Sequence, residues 1–203
     1  MEDKKGHLHP LTILSRQIVG IFTELGFELP DGPEIESEHY NFDVLNIPAN
    51  HPARDMWDTF WIKPREGGKL LRTHTSPVQA RYMEQHQPPI AVVSIGKTYR
   101  HEATDATHEA NFHQIEGLMV GEKITLGNLR GVLEEFFKRL FKTDIKVRFR
   151  PSYFPFVEPG VEVDVSCFLC RTGCRVCKGT RWIEVMGAGM VHPSVLKNVG
   201  IDP

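Results

Sequence analysis

Apolar residues recur at helical spacing over His9 to Leu25, where Leu11, Leu14, Ile18, Ile21, Phe22 and Leu25 fall on one stripe and Gly26 stands as a C-cap. A second amphipathic helix is predicted over Thr125 to Lys142. Its inward positions are Leu126, Leu129, Val132, Leu133, Phe136, Phe137 and Leu140, and its outward ones Glu134, Glu135 and Lys138. A shorter helix should open at Ser76, a capping residue, with Pro77 in its first turn, and run to about Gln87 before Pro88 and Pro89. Between the helices the pattern changes to a period of two. Ile90 to Ile95 (IAVVSI) is apolar and β-branched, Asn111 to Val120 alternates, and Ile145 to Phe149 and Tyr153 to Val165 read as further strands. Trp182 to Met186 completes a hairpin with Val161 to Val165. Gly32 to Trp61 holds too many turn formers for a long helix and leads into an aromatic strand, Thr59 to Ile62.

The strands ending near Tyr99 and starting near Asn111 frame a polar loop, Ala103 to Ala110. A period of two sets Phe112, Gln114 and Glu116 on one face, an aromatic ring, an amide and a carboxylate side by side, and Arg100 and Glu102 share that spacing on the opposite strand. The residues alone admit two readings: a nucleotide site, or a half-exposed hairpin with a charged outer face. Cys167, Cys170, Cys174 and Cys177 follow the order C-x2-C-x3-C-x2-C at the tip of the later hairpin, with Gly173 and Gly179 easing the turns. Paired thiolates at this spacing suit a tetrahedral zinc that staples the turn over residues 166–181. Uncommitted thiols or another metal such as an iron–sulfur cluster is the alternative, because three intervening residues are fewer than a zinc ribbon usually has.

Composition narrows the classes. At 203 residues, 40% hydrophobic and 25% charged, the chain suits one globular domain. Twenty-four basic residues against 26 acidic ones give a formal charge of −2, so no bulk positive field holds a polyanion, and RNA would need local patches or a partner protein. No apolar run reaches the roughly 18 to 20 residues of a membrane span, and MEDKKGHLHP lacks the apolar centre of a secretory signal. A cytoplasmic protein with no membrane partner is expected.

The stretch Gly96 to Leu118, GKTYRHEATDATHEANFHQIEGL, resembles motif 2 of the class II aminoacyl-tRNA synthetases, in the form found in the phenylalanyl-tRNA synthetase alpha-subunit family. RTHTSPVQ (Arg72 to Gln79) and YFPFVEPGVEVDV (Tyr153 to Val165) resemble further strings of that family, and Gly32 to Trp61 resembles its motif 1, which builds the dimer interface and one wall of the active site. The resemblance implies an α+β class II catalytic domain, a mixed, mainly antiparallel sheet flanked by helices, with the four-cysteine hairpin as a small insertion. It implies that Arg100 binds the ATP α-phosphate as the catalytic cation, Glu102 reads the adenine, His108 lies by the nucleotide and Phe112 stacks on the base. Gln114 and Glu116 would hold the amino-acid ammonium, with His74 and Ser76 facing it. Phe154, Phe156 and Val157 would form the phenylalanine pocket, and Glu158 would be associated with Mg2+. Each has a plainer reading: Ser76 as a helix cap, the two phenylalanines as core, and His51, Arg54, Asp55 and Trp57 of the motif 1 region as loop and surface residues.

The implied reaction joins the phenylalanine carboxylate to the ATP α-phosphorus and then passes the acyl group to the terminal ribose of tRNA(Phe). Two anions must meet, so fixed cations and no side-chain nucleophile are called for. The implied partners are a beta subunit, in a heterotetramer of two alpha and two beta chains, and tRNA(Phe). ATP is a substrate, Mg2+ a cofactor and zinc a structural metal.

The match runs from about Gly6 to Pro203. No coiled-coil arm precedes it, and GAGMVHPSVLKNVGIDP (Gly187 to Pro203) stops before the glycine-rich helix of motif 3, so a truncated, partial alpha subunit of impaired activity is expected. Two other classes stay open. One is a non-catalytic, synthetase-like paralogue or fragment that serves as a binding module. The other is a nucleic-acid zinc module centred on the cysteines, where Arg171, Arg175, Lys178 and Arg181 make the tip basic or simply keep it soluble.

Overall fold

The computed structural model describes residues 6–51, 54, 59–64, 67–101 and 109–203. In chain order the elements are α1 (Pro10–Glu24), β1 (Ile35–Ser37), a π-helical turn (His39–Asp43), β2 (Lys69–Leu71), α2 (Ser76–Gln85), β3 (Ile90–Tyr99) and β4 (Asn111–Val120). They continue with α3 (Leu126–Phe141), β5 (Val147–Phe154), β6 (Val157–Ser166), β7 (Trp182–Val191) and α4 (Pro193–Asn198). The strands form three antiparallel ladders, β1–β2, β3–β4 and β5–β6–β7, and among the described residues parallel pairing is confined to the isolated bridge Glu28↔Val92.

Local chemistry sets the helix ends. At α1 the His9 imidazole accepts the Leu11 N–H at 3.2 Å, and beyond its C-cap Gly26 takes φ 84°, which glycine adopts without a Cβ clash. Thr125 and Asn128 form a reciprocal capping box at the start of α3. Two expectations change. Only the second half of the α1 stripe is buried: Ile18, Ile21 and Phe22 are inside, while Leu11 and Leu14 each stay 42% exposed. The N-cap of α2 is Thr75 rather than Ser76, and the Ser76 hydroxyl is engaged elsewhere.

Two hydrophobic clusters hold these elements together. In the first, Phe42, Val44, Leu45 and Ile47 pack with Leu70, Ala80 and Met83, with Ile90 and Val92 of β3, and with Val195 of α4 and Val199 just after it. In the second, α1 and α3 cover the sheets, and Phe22 stacks on Phe136 at 4.8 Å and meets Phe27 edge-on at 5.1 Å. Val93 of β3 and Val161, Val163 and Val165 of β6 all belong to this second cluster, so the β3–β4 hairpin and the three-stranded ladder share one core.

Three further expectations are corrected. Thr59 to Ile62 is too short to form a full strand: it runs along the edge of β2 that β1 leaves open, through the single bridge Trp61↔Leu70, with the Ile62 N–H donating to Lys69 and the Leu71 N–H to Phe60, each at 2.9 Å. The run from Tyr153 does not continue unbroken: β5 ends at Phe154, Pro155 and Phe156 make the turn, and β6 starts at Val157. Arg54 is not a surface residue. It is 8% exposed, paired with Asp43 at 2.8 Å and Glu38 at 3.2 Å, bonded to the Ile47 carbonyl and set over the Phe42 ring. Asp55 and Trp57 lie outside the described residues. Among the described residues no helix is long and apolar enough to cross a membrane.

Candidate functional site

The β3–β4 register places Phe112 opposite Thr98, Gln114 opposite Gly96 and Glu116 opposite Ser94, so the alternating face expected from the sequence is formed. Just past β3, the Arg100 backbone N–H donates to Ala110, its Nε donates to the Thr73 carbonyl at 3.1 Å, and its guanidinium lies 5.1 Å from the Phe112 ring centroid.

The segment from Arg72 to Ser76 is pinned beside this hairpin. Buried Arg72 donates through Nε to the Lys97 carbonyl at 2.8 Å and through Nη1 to Gly32, and its carbonyl accepts the Tyr99 N–H at 2.9 Å. The guanidinium crosses Gly96 so closely that a Cβ there would come within 2.0 Å of Nη2. Buried Asn41 brackets Thr73, donating from Nδ2 to the hydroxyl at 3.0 Å and accepting the Thr73 N–H at 3.2 Å. Ser76 and Thr75 then reach Glu116, with Oγ to Oε2 at 2.7 Å and Oγ1 to Oε2 at 3.2 Å.

Two titratable groups are strongly perturbed here. Burial raises the Glu116 carboxyl above its usual value, and the Ser76 and Thr75 hydroxyls only partly oppose that rise. The residue keeps some solvent-accessible surface, yet the protein around it costs its charged form much of its hydration. No ion pair reaches it among the described residues. His74 is driven down to about 3, first by burial and then by the charge of Arg100, while the Asn41 backbone acts weakly the other way. It is therefore neutral at ordinary pH. Both of its ring nitrogens, and Oε1 of Gln114, are buried without a hydrogen-bond partner among the described residues. Buried polar atoms are seldom left so, which makes these three the natural contacts for a polar ligand.

The aromatic side of the site comes from the β5–β6 turn. Phe154 and Phe156 lie 6.0 Å apart in an offset stack, and Phe156 sits 6.4 Å from the His74 ring. The Phe154 ring rests on the backbone of Gly187 in β7, where a Cβ would stand 2.6 Å from Cζ. Val157 is half-buried at the head of β6, and Asn46 ties the turn by donating from Nδ2 to the Pro155 carbonyl at 2.7 Å. The structure thus brings together His74, Ser76, Arg100, Phe112, Gln114, Glu116, Phe154 and Phe156. Glu158 is exposed beside the turn and belongs to no group of three metal-ligating side chains among the described residues. Glu102 and His108 lie outside the described residues. Arg72, Asn41, Asn46, Thr75 and Gly187 were not singled out from sequence. Only Gly187 and Gly189 carried a signal, since glycines alternating in a strand mark a close approach to the backbone.

Away from this site the Sγ atoms of Cys167, Cys170, Cys174 and Cys177 all lie within 4.8 Å of one another, with separations of 3.9, 3.6 and 3.8 Å for three of the pairs. Four thiolates about 2.3 Å from one ion stand roughly 3.8 Å apart, so the set fits a single tetrahedral metal. The Cys174 N–H, 3.2 Å from the Cys177 sulfur, holds that thiol below its ordinary range, whereas burial pushes Cys170 up.

A sequence model of the family described as tRNA synthetases class II core domain (F) matches residues 1–203. The chain is 58% identical over 198 residues to the phenylalanine–tRNA ligase alpha subunit of Aquifex aeolicus, covering 97% of this chain and 58% of that one. It is 54% identical over 202 residues to the protein of that name from Herpetosiphon aurantiacus and 53% over 199 residues to that of Desulfotalea psychrophila, covering 98% of this chain in each case. The chain spans 58% of the length of each of these relatives. Two solved structures of a Desulfitobacterium hafniense pyrrolysyl-tRNA synthetase share the fold, with TM-scores of 0.58 and 0.59 at 22% identity. They cover 77% and 76% of this chain, and the match takes in 54% and 55% of theirs.

The raised Glu116 value has a consequence for stability. The contribution of its neutral form is fully present below the ordinary carboxyl value of 4.5 and is lost as pH rises through the raised value. Glu116→Gln keeps an oxygen for Ser76 and Thr75 and removes the titration. Its melting temperature should therefore gain on that of the parent as pH rises from about 4 to about 8. A difference that stays flat across that range contradicts the assignment.

Proposed function

Because the chain belongs to the family of class II tRNA synthetase core domains, we propose that it carries the amino-acid-activating site of a phenylalanine–tRNA ligase alpha subunit. The observation that carries the reading is Glu116, a half-buried, largely desolvated carboxylate answered by two hydroxyls and by no cation among the described residues, in one site with the two stacked phenylalanines. A ligand with an ammonium group and an aromatic side chain satisfies both features at once. The identity to relatives that carry this name adds to the geometry.

In this reading Glu116 takes the ammonium of phenylalanine as its counter-charge, Gln114 turns Oε1 to the same group, and Ser76 and Thr75 hold the carboxylate in place. His74, kept neutral, is a hydrogen-bonding group that does not compete with the ammonium for the carboxylate. Phe154 and Phe156 receive the substrate ring, with Val157 closing the wall. Each methylene missing from a smaller competitor would cost roughly 1 to 3 kcal/mol.

Arg100 is positioned by the Thr73 carbonyl to meet the α-phosphate and to balance the charge that builds when the phenylalanine carboxylate attacks the α-phosphorus and pyrophosphate leaves. Phe112 takes the adenine, with Glu102 and His108 beside it. Mg2+ would add charge neutralisation at the phosphates; Glu158 gives it one exposed carboxylate, enough where phosphate oxygens and water complete the shell. The second step passes the acyl group to tRNA(Phe). A beta-subunit partner in a two-alpha, two-beta assembly and a cytoplasmic location belong to the same proposal. The four cysteines hold one structural zinc at residues 166–181, outside the chemistry.

Phenylalanine-dependent ATP–pyrophosphate exchange, with the beta subunit co-expressed, tests the reaction. Arg100→Ala should lower the rate by about 100-fold or more, in the range for loss of one transition-state cation or donor. A variant within threefold of the parent would remove Arg100 from the chemistry. Metal analysis of protein purified without added metal should give close to one zinc per chain and a loss of stability on chelation. One iron per chain, or less than about half an equivalent of any metal, would rule the zinc assignment out.

A further inference from the structure

The cysteine tip, residues 167–181, holds Arg171, Arg175, Lys178 and Arg181 and no Asp or Glu, in a chain whose formal charge is −2. All four cations are exposed, and none is in an ion pair among the described residues, whereas Arg148 and Arg150 a short way down the same ladder are tied to Asp164, Glu162 and Glu184. The positive charge at the tip is left uncompensated while acids neutralise it elsewhere in the ladder.

The tip is also fixed in position. Phe168 stacks on Phe141 at 4.0 Å, which itself stacks on Phe137 of the second core cluster at 6.0 Å. At its base Lys146 and Ser166 exchange hydrogen bonds, at 3.0 Å from the Lys146 N–H to Oγ and 2.9 Å from the Ser166 N–H to the carbonyl. A cation carried here is presented from a rigid mount.

Backbone conformation gives an independent sign. Lys178 has φ 50° and Arg181 φ 66°, the left-handed region that glycine enters freely and L side chains do not, and Gly179 beside them sits at φ 77°. Folding alone would favour glycine or asparagine at both positions. Leu169 and Val176 on the same tip are 61% and 56% exposed, so the cations stand beside open apolar surface. Cations kept at a conformational cost, beside small apolar side chains, fit the backbone and sugar faces of a nucleic acid. The adjoining groove between α3 and β7, about 620 Å³, does not offer the same charge, because its Arg130, Lys138 and Lys146 are matched in number by Glu134, Glu135 and Asp144.

We propose that this tip docks on the sugar–phosphate backbone of the tRNA substrate, its four cations contacting phosphates and Leu169 and Val176 lying against ribose. The inference rests on the reading of the chain as part of a tRNA ligase. It makes the tip a substrate-docking element in addition to a metal-stapled turn.

The test uses the enzyme assembled with its beta subunit, a tRNA(Phe) transcript and the combined variant Arg171→Gln, Arg175→Gln, Lys178→Gly and Arg181→Gly, in which both glycines relieve the backbone. At about 0.1 M salt the transcript should bind about tenfold or more weakly, and the log–log salt slope should flatten by roughly 0.7 to 0.9 for each phosphate that the variant no longer neutralises. Metal content and phenylalanine-dependent exchange should stay at parental levels. The pair variant Lys178→Gly with Arg181→Gly, which disturbs the fold least, should show a smaller loss in the same direction. Transcript affinity and salt slope unchanged in both variants would overturn the proposal, as would unchanged RNA binding with weakened association of the beta subunit, which assigns the tip to a protein partner. A parent enzyme without exchange whose transcript binding still falls with tip charge would contradict the catalytic reading and sustain the docking.

Discussion

The carboxylate of Glu116 must be held inside the protein with no cation on it among the described residues, and much of the surrounding structure can be read as the means of doing so. Desolvation favours the neutral acid, and two hydroxyls, from Thr75 and Ser76, hold the charged form only in part. Those hydroxyls are in place because the preceding backbone is locked, by Arg72 across Gly96 and by Asn41 around Thr73. The same lock directs the Thr73 carbonyl to Arg100, so the segment that presents the hydroxyls also aims the one guanidinium proposed for the phosphates. A change in the segment from Arg72 to Ser76 would therefore disturb the ammonium and phosphate ends of the site together.

The aromatic end has a separate support. The tip of the Phe154 ring reaches the backbone of Gly187, and its Cδ2 comes close to Gly160, so its place is set by missing Cβ atoms in β6 and β7 rather than by a hydrogen bond. The turn that carries Phe156 is tied to Asn46, on the chain just after the π-helical turn, which joins the pocket wall to the first core cluster. This ladder continues to the cysteine tip, and the stacked rings of Phe137, Phe141 and Phe168 fix the tip to α3. Pocket and tip are thus opposite ends of one stiff sheet.

Much of this was legible in the sequence, for physical reasons. Strict alternation over Asn111 to Val120 gave the face of Phe112, Gln114 and Glu116, and the length of α3 averaged out local ambiguity. The cysteine spacing carried its own geometry. What failed depended on contacts distant in the chain. The Leu11 and Leu14 stripe is periodic, yet both residues stay 42% exposed, and Arg54 is buried because Asp43 and Glu38 come to it. Ser76 had the chemistry of a cap, and only the fold shows that Glu116, 40 residues away, takes its hydroxyl. The break between β5 and β6 is hidden in the sequence because the strand-forming run Tyr153 to Val165 passes straight through Pro155, which the fold uses as a turn residue.

The central claim is that Glu116 waits for an ammonium beside an aromatic wall. Calorimetric binding of L-phenylalanine and of 3-phenylpropionate, which lacks the ammonium, to the parent chain and to Glu116→Gln tests it most directly. The account predicts that the parent prefers phenylalanine by about tenfold or more, the scale of a hydrogen bond between charged groups, and that the preference largely disappears in the variant. A preference retained in Glu116→Gln, or no discrimination by a parent that binds both, would contradict it.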